Sequence, residues 1–509
     1  MQGTETEEFD VVVVGGGPAG STVATLVAKQ GHRVLLLEKE VFPRYQIGES
    51  LLPPTVHGIC GLLGVTEEVQ RAGFQVKLGA TLRWGANPDL WTFRFGDNPE
   101  VPESNSYSFQ VERMKFDQIL LENAQRCGVD VRQNAQVTST VGGQEDEGHR
   151  VRGVRYTDAG GREHEISAAF VVDASGNKSR IHKQVSGGRE YSDFFRNIAL
   201  FGYFKGGKRA PAPNQGNILS IAFDSGWFWY IPLTDELTSV GAVVRADRAD
   251  RVRGDREGAL RGLIAECPLV RDYLAGTELI TEGTYGRIRV RKDYSYYSSR
   301  FWWPGMVLVG DAACFVDPVM SSGVHLATYS GLLAARSINS ALAGSVTEEA
   351  AFREFESRYQ REYAMIYEFL VFFYNAHVDE KSYFWQAKKL TGFPASELQA
   401  FVTLVGGRGS GDVGLVSDHS AGDGPAPDAA AALADAASAS ETVGTAQPSG
   451  TGLDEELAMS AWIPYTLPER EQLWLPEALR GFSERDVGEL VPAGTGLTWE
   501  FAKVPGAGR

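Results

Sequence analysis

Phe9-Asp-Val-Val-Val-Val-Gly-Gly-Gly-Pro-Ala-Gly20 is the stretch from which the fold can be read. Phe9 and Val11 to Val14 are apolar without alternation, the pattern of a strand buried on both faces. Gly15, Gly17 and Gly20 follow in G-x-G-x-x-G register around Pro18 and Ala19, and residues 21–30 have the Ala/Val-rich composition of a helix. Residues 34–37 are a second buried strand ending in Glu38. Gly15 permits the tight turn, Gly17 lets a pyrophosphate approach the backbone, and Gly20 lets helix and strand pack closely. The positive end of the helix dipole then faces the phosphates, and Glu38 is placed to accept from ribose hydroxyls. Without the strand, the helix and the acid, the triplet would be an ordinary turn.

Totals exclude several classes. With 509 residues the chain predicts two or three domains, and 43% hydrophobic content predicts a soluble globular enzyme. Formal charge is −16, which argues against a nucleic-acid partner. Cys60, Cys127, Cys267 and Cys314 form no C-x-x-C pair, so neither a metal site nor a disulfide framework is expected. The acidic first eight residues lack a signal-peptide pattern, and the valine run is too short to span a bilayer. The expectation is a cytoplasmic protein with no membrane partner.

Along the chain, residues 41–53 form a loop carrying Arg44, Glu49 and Ser50, with a helix expected over 54–63. Residues 82–95 alternate polar and apolar, which predicts strands of a substrate-facing sheet. A helix opens near Arg113, strands are expected around 129–131 and 151–156, and an apolar strand leads into Asp173-Ala-Ser-Gly176. Residues 195–300 are rich in alternating strands, with a helix expected over 245–261 and another over 323–343. Phe355, Tyr359, Tyr363 and Tyr367 recur every four residues on one helix face, and core packing is the preferred reading. Residues 406–452 collapse to Gly, Ala, Ser, Asp and Pro and read as a mobile linker. The predicted architecture is α/β. A Rossmann-like dinucleotide domain (9–190 and 300–345, with 80–110 reaching the substrate side) carries an inserted, mostly antiparallel sheet (191–299). A helical region (346–405), the linker, and a tail packing on the body (453–509) complete it.

A second anchor separates flavin from nicotinamide. Gly310-Asp-Ala-Ala-Cys-Phe-Val-Asp-Pro318 follows a strand nearly 300 residues after the first motif. Asp311 suits ribityl hydroxyls, and the next helix can aim its amides at the pyrimidine edge of a reduced flavin. The spacing of these segments resembles the FAD-binding fold of aromatic hydroxylases. That resemblance implies cofactor contacts at the first motif with Glu38, Lys39, Arg44, Ser50 and Arg113. It adds Asp173, Gly310, Asp311, Pro318 and Gly323, although Asp173 can equally be a cap for its own turn. Asp293 and Cys314 are conceivable points of covalent flavin attachment, with nothing in the sequence to choose.

Gly226-Trp-Phe-Trp-Tyr-Ile-Pro232 sorts the chemistry. Residues two apart on a strand share a face, so Trp227 and Trp229 project together. Beside a flavin, such a wall fills the space that direct oxygen transfer would need. With Gly48-Glu-Ser-Leu-Leu-Pro53, Ala72-Gly-Phe-Gln-Val-Lys77 and Pro318-Val-Met-Ser-Ser-Gly323, the chain resembles the flavin-dependent halogenases from about residue 9 to 405. Within them it is most similar to the branch acting on phenols or pyrroles, many tethered to carrier proteins. The resemblance implies chlorination through a flavin C4a-hydroperoxide and hypohalous acid. FADH2 would come from a separate flavin reductase, with O2 and chloride or bromide as co-substrates.

It implies catalytic roles for Lys77, which would hold the oxidant, for Trp227 and Trp229, and for Glu49, which would position Lys77 or a backbone segment. The halide would sit near the amides of Ser321, Ser322 and Gly323. The basic run of Arg287, Arg289, Arg291 and Lys292 reads first as a solvated strand face, with docking of an acidic acyl or peptidyl carrier protein as the second reading. Two rivals stand beside this reading: an aromatic hydroxylase on the same scaffold, and a flavin-binding interaction protein without turnover.

Overall fold

The computed structural model describes residues 7–84, 89–98, 101–143, 149–292, 294–375, 397–416, 429–435 and 490–502. Its first layer is an eight-stranded sheet. Strand β1 (Glu7–Val14) lies between β2 (Val34–Glu38) and β3 (Glu163–Asp173), parallel to both. All five β2 residues and Val11 to Val14 are buried, as expected of parallel strands covered on both faces. Helix α1 (Pro18–Ala28) packs on α2 (Ser322–Leu342), which packs in turn on α3 (Glu348–Asn375). Phe355, Tyr359, Tyr363 and Tyr367 are fully buried along α3, so that stripe is core.

A second sheet carries the candidate chemistry. Strand β4 (Gly226–Pro232) pairs antiparallel with β5 (Leu237–Val244) and with Ile218–Phe223. Gly79–Arg83 and Trp91–Arg94 extend the same sheet beyond Ile218–Phe223. Lys77 therefore sits on the short strand Gln75–Lys77, immediately before the first of these.

Three expectations change. The helix expected over 245–261 is two pieces, a 3-10 stretch Ala246–Val252 and a helix Arg256–Glu266. Gly254 breaks them at φ +80°, and Asp255 caps the second by accepting from the Glu257 and Gly258 amides. The helix expected over 54–63 opens as a π-helical turn, Pro54–Ile59, before Cys60–Leu63. Residues 412–415, placed in the linker by composition, pack on the body. Asp412 forms a fully buried ion pair with Arg336 on α2, and Leu415 is buried beside Gly58. A specific pair outweighs a linker-like composition there. At the far end, Arg336 Nε donates to the Gly496 carbonyl and Trp499 Nε1 to Ser337 Oγ, seating the hairpin of Leu490–Ala493 and Thr498–Phe501 on α2. Trp462 and Trp474 lie outside the described residues.

Candidate active site

A cavity of about 520 Å3 opens between the two sheets, large enough for a cofactor. The glycine turn forms one end. Gly15 has φ +104°, and a Cβ there would lie 2.5 Å from the Ala174 carbonyl oxygen. Gly20 instead faces the turn, where a Cβ would lie 1.9 Å from the Gly15 carbonyl oxygen, so it serves helix packing. Helix α1 has no side-chain cap and no acid in its first turn, which leaves its amides for an anion. Gly15, Gly17, Pro18, Ala19, Glu38, Lys39 and Arg44 all line this end. Glu38 Oε2 accepts from the Gly16 amide at 2.7 Å and Oε1 from the Glu40 amide at 2.8 Å. This aims the carboxylate while its remaining lone pairs stay open.

Two arginines hold the loop over the cavity through one carboxylate. Arg44 meets Asp117 at 2.8 Å and Arg113 meets it at 2.7 Å, while Arg113 also donates to the Ile47 and Gly48 carbonyls. Asp117 is the partner that sequence reading missed. Ser50 lines the cavity beside them. At the other end stand Gly310, Asp311, Pro318, Ser321 and Gly323. Burial pushes the Asp311 carboxyl up to about 6, against the pull of Arg113, Arg189 and Arg291. Asp173, expected among the cofactor contacts, lies beneath its turn with no exposure. Its carboxylate accepts from the Ser175 amide and the Ser175 and Ser179 hydroxyls, so it holds the turn, and Ala174 to Gly176 face the cavity instead. Cys314 is buried and absent from the cavity wall, and Asp293 lies outside the described residues.

The paired indoles face this cavity. Trp227 and Trp229 both line it, with ring centroids 6.2 Å apart. Trp229 Nε1 donates to Ser239 Oγ at 3.2 Å and Trp227 Nε1 to the Tyr374 hydroxyl at 2.6 Å, which fixes both rings. Lys77 is not in the cavity wall. It is buried, with Nζ donating to the Leu51 carbonyl at 2.9 Å, 3.5 Å from Ser321 Oγ and over the Phe95 ring. Burial lowers its amine to about 7.

Glu49 does not reach Lys77. Its Oε1 accepts from the Tyr203 hydroxyl at 2.7 Å, and Tyr203 in turn meets Tyr45 at 2.8 Å. Glu49 Oε2 has no partner, the residue lines the cavity, and burial pushes its carboxyl up to about 7. Ser321 and Gly323 open to the same cavity, whereas Ser322 turns to a small apolar hole shared with Leu52 and Met320. The basic run is not a free face. Arg289 stacks 3.6 Å over Tyr45 and Arg291 lines the cavity, leaving Arg287 and Lys292 at the surface. His325 is buried and paired with Glu362 at 3.0 Å.

Comparison with known proteins places this geometry. The model of the tryptophan halogenase family matches residues 10–102 and 97–420. A tryptophan 2-halogenase of Chondromyces crocatus is 37% identical over 384 residues, covering 75% of this chain and 70% of that protein. This chain belongs to the flavin-dependent halogenases. A flavin-dependent halogenase of Penicillium aethiopicum is 34% identical over 70% of this chain and 69% of its own length. The solved structure of the myxobacterial chondrochloren halogenase, described as a variant of FAD-dependent halogenases, has a TM-score of 0.75 and 47% identity. It covers 97% of this chain and all of its own. The flavin-dependent brominase Bmp2 has a TM-score of 0.67 at 26% identity, covering 86% of this chain and 99% of its own.

The halogenase is thus an oxidoreductase that uses FAD, with halide and O2 as co-substrates, and its family draws reduced flavin from a separate reductase. The open α1 amides, the aimed Glu38 and the cavity-facing Asp311 fit such a flavin dinucleotide. Among the described residues no helix is long and apolar enough to cross a membrane, and no cluster of acids, histidines and cysteines could hold a metal.

Proposed function

We propose that this halogenase chlorinates an electron-rich aromatic ring, a phenol or a pyrrole, free or tethered to an acyl or peptidyl carrier protein. One observation carries the reading. Two fixed indoles wall the flavin cavity, while a buried amine of pKa about 7 lies outside that wall. Reduced flavin, when bound, supplies the two electrons with which O2 and halide become hypohalous acid. The chain's own groups do the rest. The α1 amides, Gly17 and Arg44 take the pyrophosphate, Glu38 the ribose, and Asp311 the ribityl chain. Amides at Ser321 and Gly323, at the uncapped start of α2, draw the halide to the cavity. Trp227 and Trp229 exclude the acceptor, so only a small oxidant passes. Lys77, partly neutral at pH 7, receives that oxidant and hands it to the ring.

The segments Gly48-Glu-Ser-Leu-Leu-Pro53 and Ala72-Gly-Phe-Gln-Val-Lys77 favour phenols and pyrroles as acceptors. The 37% identity to a tryptophan 2-halogenase favours an indole instead. Chemically reduced FAD, O2 and a panel of phenols, pyrroles, carrier-bound phenols and free tryptophan, with and without chloride, separate the two. Chlorinated phenol or pyrrole is expected only with chloride. Hydroxylated product without halide, or turnover of tryptophan alone, would overturn the proposal.

A further inference from the structure

Behind Trp227 the structure already holds a phenol, that of Tyr374. Trp227 Nε1 donates to its oxygen at 2.6 Å, and the hydroxyl donates to Asp317 Oδ1 at 2.9 Å. The ring stands edge-on to Trp84, Phe194 and Phe195, with centroids 5.4, 6.1 and 5.4 Å away. Asp317 has no exposure, and its second oxygen, faced by Asn197 and Tyr294, makes no hydrogen bond of good geometry. Around it stand the Val319 amide, which Oδ1 also accepts, and the side chains of Asn197 and Tyr294. Tyr294 in turn lines the flavin cavity. A buried carboxylate that already accepts from a phenol, an indole N–H and an aromatic cage together make a slot for a phenol.

We propose that Asp317 and the Trp227 Nε1–H form the acceptor's phenol-binding site, and that Tyr374 occupies it until substrate displaces it. The inference rests on the phenol reading given above. Its place suits the chemistry. Asp317 precedes the 3-10 turn Pro318–Met320, and Ser321, which follows that turn, lies beside Lys77. The carboxylate and the lysine bracket one short segment. Tyr374 is largely but not fully buried, so its ring can be reached from outside the core.

Burial pushes the Asp317 carboxyl up to about 7, closer to a phenol, about 10 in water, than an ordinary carboxylate is. A phenol donating to it gains negative charge at oxygen, which activates the ring carbons. As one carbon bonds to chlorine, the Cl–O bond of hypochlorous acid breaks and hydroxide leaves. The phenolic proton passes to Asp317, and the carbon's proton joins the hydroxide as water. Asp317 then returns its proton to the product oxygen.

The test is a titration of 4-ethylphenol into the full chain loaded with oxidised FAD, read by calorimetry, so that turnover does not enter. Asp317→Asn keeps the turn's cap but removes the charge, and weakens binding about tenfold. Ethylbenzene, lacking the hydroxyl, shows no such loss. Tyr374→Ala removes the occupant and tightens binding about tenfold. In chain made with 3-fluorotyrosine, the 19F signal that Tyr374→Phe identifies shifts when the phenol is added, a readout that does not depend on the stability of either variant. An unmoved signal with unchanged affinity in Asp317→Asn overturns the site. If phenols are nonetheless chlorinated, the phenol reading stands without it; if phenols neither bind nor react, the site and the phenol reading both fall.

Discussion

Trp229 lies directly across the strand pair from Gly241, and a Cβ on Gly241 would come within 2.2 Å of the indole. The wall facing the cavity is therefore set by an absent side chain on β5 as much as by the tryptophans on β4. Gly241→Ala drives its methyl into a rigid ring that is held by Ser239. The expected loss is about 1–3 kcal/mol of stability. FAD affinity should survive while the yield of halogenated product per flavin oxidised falls, as a hypohalite trap measures.

Lys77 gives a prediction in two parts. Lys77→Met should abolish halogenation while reduced flavin is still oxidised, since the amine lies outside the cavity wall. Loss of both would make it a folding residue. The folded amine titrates near 7, below the ordinary 10.5, so the unfolded chain binds more protons between those values. The burial penalty is then full below pH 7 and fades as pH rises toward 10.5. Lys77→Met should raise the Tm, by more at pH 7 than at pH 10.

Glu49 titrates in the opposite sense. Its carboxyl, pushed to about 7, keeps a proton in the folded chain that an unfolded glutamate releases near 4.5. Stability should fall as pH rises from about 4.5 to 7, and Glu49→Gln should flatten that part of the Tm profile. A Tm slope unchanged by the substitution would mean that the carboxyl is ionised against Tyr203.

Asp412→Ala leaves the Arg336 guanidinium, fully buried, without its bidentate partner. Removing one partner of such a pair costs about 3–5 kcal/mol. Urea midpoints should show it, and the 490–502 hairpin that Arg336 also holds should lose amide protection first.

Local pattern carried much of the site. The β1 valines, the glycine register and Glu38 are neighbours in the chain, so their geometry follows from strand and helix periods. The same holds for Trp227 and Trp229, which share a face because a strand repeats every two residues. It failed where a partner came from far away. Glu49 was expected to position Lys77, 28 residues on, or a backbone segment, yet its carboxylate meets Tyr203. Asp173 ends a strand as expected, but two serines take its carboxylate.

By itself, the sequence determined a dinucleotide fold, its candidate flavin anchors and the tryptophan pair, because these depend on spacing within one element or one turn. Only the tertiary structure decided that Gly241 receives Trp229, that Asp117 ties Arg44 to Arg113, and that Tyr374 bridges Trp227 and Asp317. Each of these joins side chains from separate elements. Hydrogen bonds and close packing act over a few ångströms, and only the folded chain brings such residues within that range.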